Sequence, residues 1–137
     1  MTRSELAYLY RPDESESDAL TYLRLQVHRA QALPWAGTLE VEPARLRWRI
    51  ATDLHELRTA AAAGRWQDVI RLHTGKLLAG AELSDRPTYN AWLDLEREAC
   101  QQAFATALRH EAGRLESQAE HWQAAGLYRR LLDLDEF

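Results

Sequence analysis

Three arginines near the middle of the chain recur at every second position. Arg45, Arg47 and Arg49 alternate with large apolar residues over the segment 45–50. Because successive side chains of a strand point to opposite faces, this pattern predicts one apolar face and one face with three guanidinium groups. A row of guanidinium groups is suited to binding phosphates, so the chemistry that this segment could carry is recognition of a polyanion.

The residues before this segment predict its partner strand. Residues 38–41 alternate in the same way, and the turn 42–44 contains Pro43. Together they indicate a β-hairpin over 38–50 whose apolar side chains rest on a core and whose basic edge faces solvent. The apolar set is Leu39, Val41, Leu46, Trp48 and Ile50. In the alternative arrangement, which is purely structural, the arginines pair across the hairpin with Glu40 and Glu42.

A helix is predicted immediately before the hairpin, over about 18–33, with Ser17 or Asp18 as its N-cap. Its apolar residues recur at spacings of three and four and form one buried stripe. This stripe consists of Leu20, Leu23, Val27 and Ala30. An adjacent polar stripe contains Arg24 and His28, and Arg29 flanks it. A helix with exposed arginines followed by a basic hairpin is what a winged-helix DNA reader requires.

Composition is that of a globular protein, and the distribution of charge matters more than its total. The 137 residues are 46% apolar and carry a net charge of −4. Residues 19–51 nevertheless hold five arginines against two acidic residues, Glu40 and Glu42. Phosphate binding depends on such local clusters, whereas the acidic remainder should lie away from DNA. A single cysteine, no signal-peptide pattern and no membrane-length apolar run lead us to expect a cytoplasmic protein.

The rest of the chain has helical periodicity throughout. Helices are predicted at about 53–63, from Arg65 or Trp66 to before Gly75, from Pro87 to about Leu115, and at about 117–134. Residues 64–69 are similar to residues 120–125, as in the second helices of tetratricopeptide hairpins, although the two lie further apart than the roughly 34 residues of a regular array. Trp66, Trp92 and Trp122 are accordingly expected to pack between helices.

Two segments begin like an enzyme motif, but neither completes it. His55-Glu56 and His110-Glu111 begin like a zinc-protease helix but lack the second histidine. Cys100 has no partner at a meaningful spacing, so we expect a buried thiol. We therefore expect no catalytic residue, no metal site and no cofactor.

Three segments resemble a known family. Residues 58–80, and above all 72–80 (LHTGKLLAG), resemble the start of the bacterial transcriptional activator domain of SARP-type regulators. Residues 89–98 look like the next helix of that domain, and residues 124–135 look like the second helix of the following hairpin. In that family an OmpR-type winged helix precedes the helical domain. Residues 6–50 are similar to its second half, with 23–33 at the recognition helix and 39–50 at the wing.

This resemblance implies a fold class and a function. The fold class is mainly α, with a partial winged helix (helix plus β-hairpin) in a DNA-binding region at 1–51. A truncated tetratricopeptide-like bacterial transcriptional activator domain would follow at 52–137. The implied function is transcriptional regulation, and the predicted DNA-binding residues are Arg24, His28, Arg29, Arg45, Arg47 and Arg49.

Partners follow from the same interpretation. We expect DNA binding that is weak or confined to the full-length context, a homodimer, contact with RNA polymerase or another regulator, and no association with membranes. The alternative function is a tetratricopeptide-like protein–protein interaction module with no DNA contact, in which the hairpin only caps the helices.

Overall fold

The structure, a computed structural model, describes residues 1–135, so the last two residues of the predicted second domain lie outside the described residues. It is mainly helical with one small antiparallel sheet, as the sequence predicts. The helices are α1 (Arg3–Tyr10), α2 (Glu16–Gln31), α3 (Asp53–Ala62), α4 (Trp66–Leu72), α5 (Pro87–Ser117) and α6 (His121–Asp135). A short 3-10 helix, Pro34–Ala36, follows α2, and strands β1 (Leu39–Val41) and β2 (Leu46–Trp48) form the sheet.

The chain forms two compact units. The first unit comprises Met1–Ile50 and Gly80–Asp94, and the second comprises Ala51–Ala79 and Leu95–Phe137. Residues 80–94, which the sequence analysis assigned to the second domain, therefore belong with the N-terminal residues.

Apolar packing explains the place of residues 80–94. Leu9 of α1 forms a buried cluster with Tyr89 and Leu93 from the start of α5. Tyr10 stacks on Tyr89 with ring centroids 5.7 Å apart. Trp92 packs half-buried against the same cluster, as expected.

Caps fix the ends of the first two helices. At α1, Thr2 accepts from the backbone N–H of Glu5, and the Glu5 carboxylate accepts from the backbone N–H of Thr2, which forms a capping box. At α2 the N-cap is Ser15, whose hydroxyl accepts from the backbone N–H of Asp18. The prediction of Ser17 or Asp18 as the cap was wrong, because both lie inside the first turn, where Asp18 supplies the capped N–H.

The core of the first unit joins α1 and α2. Its buried members are Ala7, Ala19, Leu23 and Val27, and the hairpin residues Leu39 and Leu46 pack against it. In the hairpin Glu40 lies opposite Arg47, and one leucine of each strand faces the helices.

Three other apolar residues of the hairpin do not reach the core. Val41, Trp48 and Ile50 are each at least 40% exposed, so the expectation that all five apolar side chains rest on a core was wrong. Each strand is only three residues long and contributes one leucine to the helices. Trp48 instead stacks on Trp35, with ring centroids 5.2 Å apart.

In the second unit α3 and α4 pack on α5. Leu57 and Ala60 of α3, Val69 of α4 and Ala107 of α5 form one buried cluster, and Trp66 packs against it. Beside it the buried Glu111 carboxylate accepts a hydrogen bond from Gln67 at 2.7 Å. Glu111 also accepts two hydrogen bonds from the Arg114 guanidinium, so α4 is tied to α5 by a satisfied polar group.

Two helices of this unit end in the same way. At the end of α3, Gly64 has φ +67°, and the N–H groups of Gly64 and Arg65 donate to the carbonyls of Ala61 and Ala60. At the end of α5, Ala119 has φ +63°, and the N–H groups of Ala119 and Glu120 donate to the corresponding carbonyls of the last turn. Both are Schellman motifs, in which a left-handed residue closes the helix.

These matched helix ends correct the alignment of the internal repeat. Ala119 corresponds to Gly64, so His121 corresponds to Trp66, and the buried Ala124 corresponds to the buried Val69. The alignment of residues 64–69 with residues 120–125 was therefore wrong by one residue. One residue turns a helix position by about 100°, and Trp122 consequently points outward, with 91% of its surface exposed. The expectation that Trp122 packs between helices was wrong.

The two helix ends predict opposite effects of exchanging alanine and glycine. A left-handed conformation costs a non-glycine residue about 1–2 kcal/mol. Ala119→Gly should therefore raise the free energy of unfolding by about 0.5–1 kcal/mol, after the entropic cost of glycine. Gly64→Ala should lower it by about 1 kcal/mol. Chemical denaturation followed by circular dichroism measures both, and equal signs for the two variants would contradict the paired motifs.

A half-buried histidine makes the second unit sensitive to acid. The His73 ring stacks on Phe104 with centroids 4.1 Å apart, and Arg130 lies over the Phe104 ring. Burial, and then the charge of Arg130, lower the pKa of His73 below its usual value. The unfolded chain therefore takes up this proton at a higher pH than the folded chain does. The contribution of neutral His73 to the free energy of unfolding is therefore present at neutral pH and is lost as the pH falls below about 6.5.

His73→Gln should accordingly lose less stability than the wild type between about pH 7 and pH 5. Denaturation curves at several pH values measure this difference. His55→Gln, which makes the same replacement at an exposed position in the same unit, is the matched control. Parallel curves for wild type and His73→Gln would show that His73 does not contribute to it.

Candidate nucleic-acid interface

The first predicted group of site residues lies on one side of α2. Arg24, His28 and Arg29 are all exposed, whereas Leu23 and Val27 on the same helix are buried. Arg24 and His28 are four residues apart and lie on the same face of the helix, whereas Arg29 lies about 100° further round, still on the exposed side. The helix thus presents two guanidinium groups and an imidazole to solvent, next to a buried apolar stripe that holds it in place.

The second group lies on the hairpin. Arg45, Arg47 and Arg49 are all exposed, and their alternation places them on the face opposite to the leucines that anchor the hairpin. Sequence reasoning predicted this orientation correctly for all three.

The N-terminus pairs with the hairpin, which the sequence analysis missed. Thr2 and Arg45 form an isolated antiparallel bridge, and the Arg3 N–H donates to the Ala44 carbonyl at 3.0 Å. Along the chain the order is therefore the bridging residue Thr2, two packed helices, and a hairpin that is bridged at Arg45, the residue just before β2. The Thr2-Arg3-Ser4-Glu5 sequence does show the capping box, but a single bridging residue leaves no periodic signal.

Carboxylates on the hairpin compete for the same arginines. Glu40 Oε1 lies 2.6 Å from Arg49 Nε, and Glu40 Oε2 lies 4.0 Å from Arg47 Nη1. These side chains remain 42–64% exposed, so the pairs are surface ion pairs of roughly 0–1 kcal/mol. The alternative of cross-strand pairing is thus realised at Glu40, but it leaves both guanidinium groups accessible. A phosphate can replace so weak a partner.

Arg45 has an acidic neighbour of its own. Hydrogen bonds with the backbone and side chain of Thr2 lower the pKa of Glu5, and the positive charges of the N-terminus and then of Arg45 lower it further. The carboxylate therefore stays ionised near Arg45 at neutral pH. The basic face of the hairpin is accordingly a mixed surface with a modest positive excess.

Cavities elsewhere offer little chemistry. A groove of about 580 Å³ between α1, α2 and the hairpin is lined by apolar and aromatic residues and Gln26, without carboxylate, imidazole or thiol. A cavity of about 400 Å³ in the second unit is lined in part by His73 and Cys100. Burial raises the pKa of the Cys100 thiol and lowers that of His73, so both favour their neutral forms and not a reactive thiolate–imidazolium pair.

Residues 1–135 contain neither a candidate metal site nor a helix that could span a membrane. Within that range no group of three histidine, cysteine or acidic side chains could hold a metal ion. None of the helices in the same range has the length and apolarity needed to cross a bilayer.

Comparison of the chain with family models, curated proteins and solved structures finds no match. The resemblance to SARP-type regulators therefore stays a prediction that depends on the segments quoted above.

The geometry at Glu40 predicts how this surface responds to polyanions. Glu40→Gln removes the carboxylate that holds Arg49 and faces Arg47, so the protein should elute from heparin at higher salt. Glu42→Gln, on the same hairpin, removes the same formal charge and is the matched control. A larger shift for Glu40→Gln is expected because only that change releases two guanidinium groups. Equal shifts would mean that net charge alone decides binding.

Proposed function

We propose that this chain is part of a transcriptional regulator of the SARP type. Its first unit binds DNA as a partial winged helix, and its second unit is a tetratricopeptide-like bacterial transcriptional activator domain. The single observation that carries the proposal is the antiparallel bridge between Thr2 and Arg45. It ties the start of α1 to the residue just before β2, and the apolar core that α1 and α2 share with the hairpin makes α2 and the basic wing parts of one packed unit.

In this proposal α2 is the recognition helix. Its exposed Arg24, His28 and Arg29 enter the major groove, where Arg24 reads a guanine edge or contacts a phosphate. Leu23 and Val27 hold the helix from the other side. Because α2 carries only two arginines, base contacts are few, and sequence discrimination by one copy is modest.

The hairpin acts as the wing. Arg45, Arg47 and Arg49 contact phosphates or the minor groove, and Glu40 releases its arginines when phosphates replace it. About five phosphate contacts give an affinity that falls steeply with salt, as expected for a weak module that gains from dimerisation. The second unit would mediate self-association or contact with RNA polymerase or another regulator.

A second candidate function is a protein–protein interaction module without DNA contact. The pairing of Glu40 with both Arg47 and Arg49 favours it, because these arginines then have a structural role on the hairpin. The hairpin would serve only to cover α1 and α2.

Binding to a labelled duplex of mixed sequence distinguishes the two functions. Fluorescence anisotropy at about 50 and 200 mM salt should show wild-type binding that weakens with salt. The double variant Arg47→Ala, Arg49→Ala should lower the slope of log affinity against log salt by about two, since two phosphate contacts are lost.

The second unit offers a closely matched control. Arg65 and Arg71 share Asp68 at 2.6 and 3.2 Å, much as the hairpin arginines share Glu40. The double variant Arg65→Ala, Arg71→Ala has the same net charge as the hairpin variant and should leave the slope unchanged. Negligible binding by the wild type at low salt would contradict DNA binding and favour the interaction module.

A further inference from the structure

The outward face of α6 carries a large aromatic side chain that nothing covers within the described part of the chain. Trp122 is 91% exposed, the largest exposed fraction of any large hydrophobic residue in this part of the chain. Ala124 on the opposite side of α6 is buried. Tryptophan is enriched at protein–protein interfaces, where a single ring can supply a large share of the binding free energy.

The residues of this face are arranged symmetrically along α6. Trp122 and Arg129 lie two helical turns apart on the same side, and Ala125 and Gly126 lie midway between them. Arg129 is exposed, whereas its neighbour Arg130 lies over the ring of Phe104 within the same unit.

We propose that α6 pairs antiparallel with α6 of a second copy of this chain, about a two-fold axis between Ala125 and Gly126. This axis places Trp122 of each copy opposite Arg129 of the other, so one cation–aromatic pair forms at each end of the contact. The same face thus carries both the aromatic ring and the cation that binds it, so it is complementary to itself, as an isologous interface requires. That complementarity is why a second copy, and not an unrelated partner, is the occupant.

Gly126 is compatible with a close helix crossing at this point. It lies inside a helix, where glycine costs about 0.5–1 kcal/mol relative to alanine. A Cβ atom at this position would meet nothing within 4 Å, so no contact within residues 1–135 requires glycine here. Close approach of a second helix backbone at the crossing point would require it.

The electrostatics also favour the antiparallel pairing. Each guanidinium lies over an indole, the ring that binds cations best, for about 0.5–1 kcal/mol at an exposed site. The two arginines are displaced along the axis by about 10 Å, close to the screening length at physiological salt, so their mutual repulsion is small. One pair of helices buries less than the roughly 1,200 Å² of a stable interface, so the dimer should be weak.

Sedimentation equilibrium from low to high micromolar protein tests the proposal. The wild type should show a monomer–dimer equilibrium, and Trp122→Ala and Arg129→Ala should each weaken dimerisation about tenfold, as two lost cation–aromatic pairs predict. Trp35→Ala removes an exposed tryptophan of the first unit and should leave the dimer dissociation constant unchanged. Circular dichroism checks that each variant folds.

Mixing the two variants gives the sharpest measurement. A heterodimer of Trp122→Ala with Arg129→Ala keeps one of the two pairs, so the mixture should dimerise more strongly than either variant alone. Gly126→Leu should stabilise the helix yet prevent dimerisation. A wild type that stays monomeric, or a mixture with no gain, would overturn the proposal. Because Trp122, Gly126 and Arg129 all lie on α6, outside α2 and the hairpin, the effect of changing them is independent of whether the first unit binds DNA.

Discussion

The first unit depends on two leucines that anchor its hairpin. Leu39 and Leu46 pack against the buried residues of α1 and α2, one from each strand. Burying such a side chain completely contributes about 1.5–3 kcal/mol, whereas a surface ion pair contributes roughly 0–1 kcal/mol. The apolar contacts therefore decide how the hairpin lies, and the ion pairs at Glu40 adapt to it. The outward direction of the arginines is a consequence of where the leucines are buried.

The second unit depends instead on where its helices end. Left-handed residues at Gly64 and Ala119 close α3 and α5 and set the rotation at which α4 and α6 begin. This rotation buries Val69 and Ala124 and leaves Trp122 outside. The same local geometry thus produces both a core and an exposed aromatic surface.

Much of this structure could be predicted from periodicity. The bounds of α2 to α5 lie within two or three residues of the predicted ones, and the exposure of all six candidate DNA-binding residues follows from the stripes of α2 and the alternation of the hairpin. Such patterns report which side of an element is buried, and they do so reliably where leucine and valine recur. Whether those six residues bind DNA is a question of affinity that burial does not answer.

Other features of the structure leave no periodic pattern in the sequence and could not be predicted from it. Tyr89 and Leu93 are spaced as on any helix face, and this spacing does not indicate whether the face packs against α1 or against the second unit. The left-handed conformation of Ala119 was not predicted because glycine, and not alanine, usually marks it, and the repeat alignment consequently slipped by one position. Three-residue strands are too short to bury every alternate residue, so Val41, Trp48 and Ile50 stayed outside the core.

The alternation of side chains along the hairpin also constrains how its sequence can change over evolution. A single residue inserted within Leu46–Trp48 would exchange the two faces beyond the insertion and turn guanidinium groups toward the leucine-lined core. Replacement of one residue by another leaves the faces intact. This segment can therefore drift by substitution but tolerates no odd-numbered insertion or deletion, unless a bulge absorbs it.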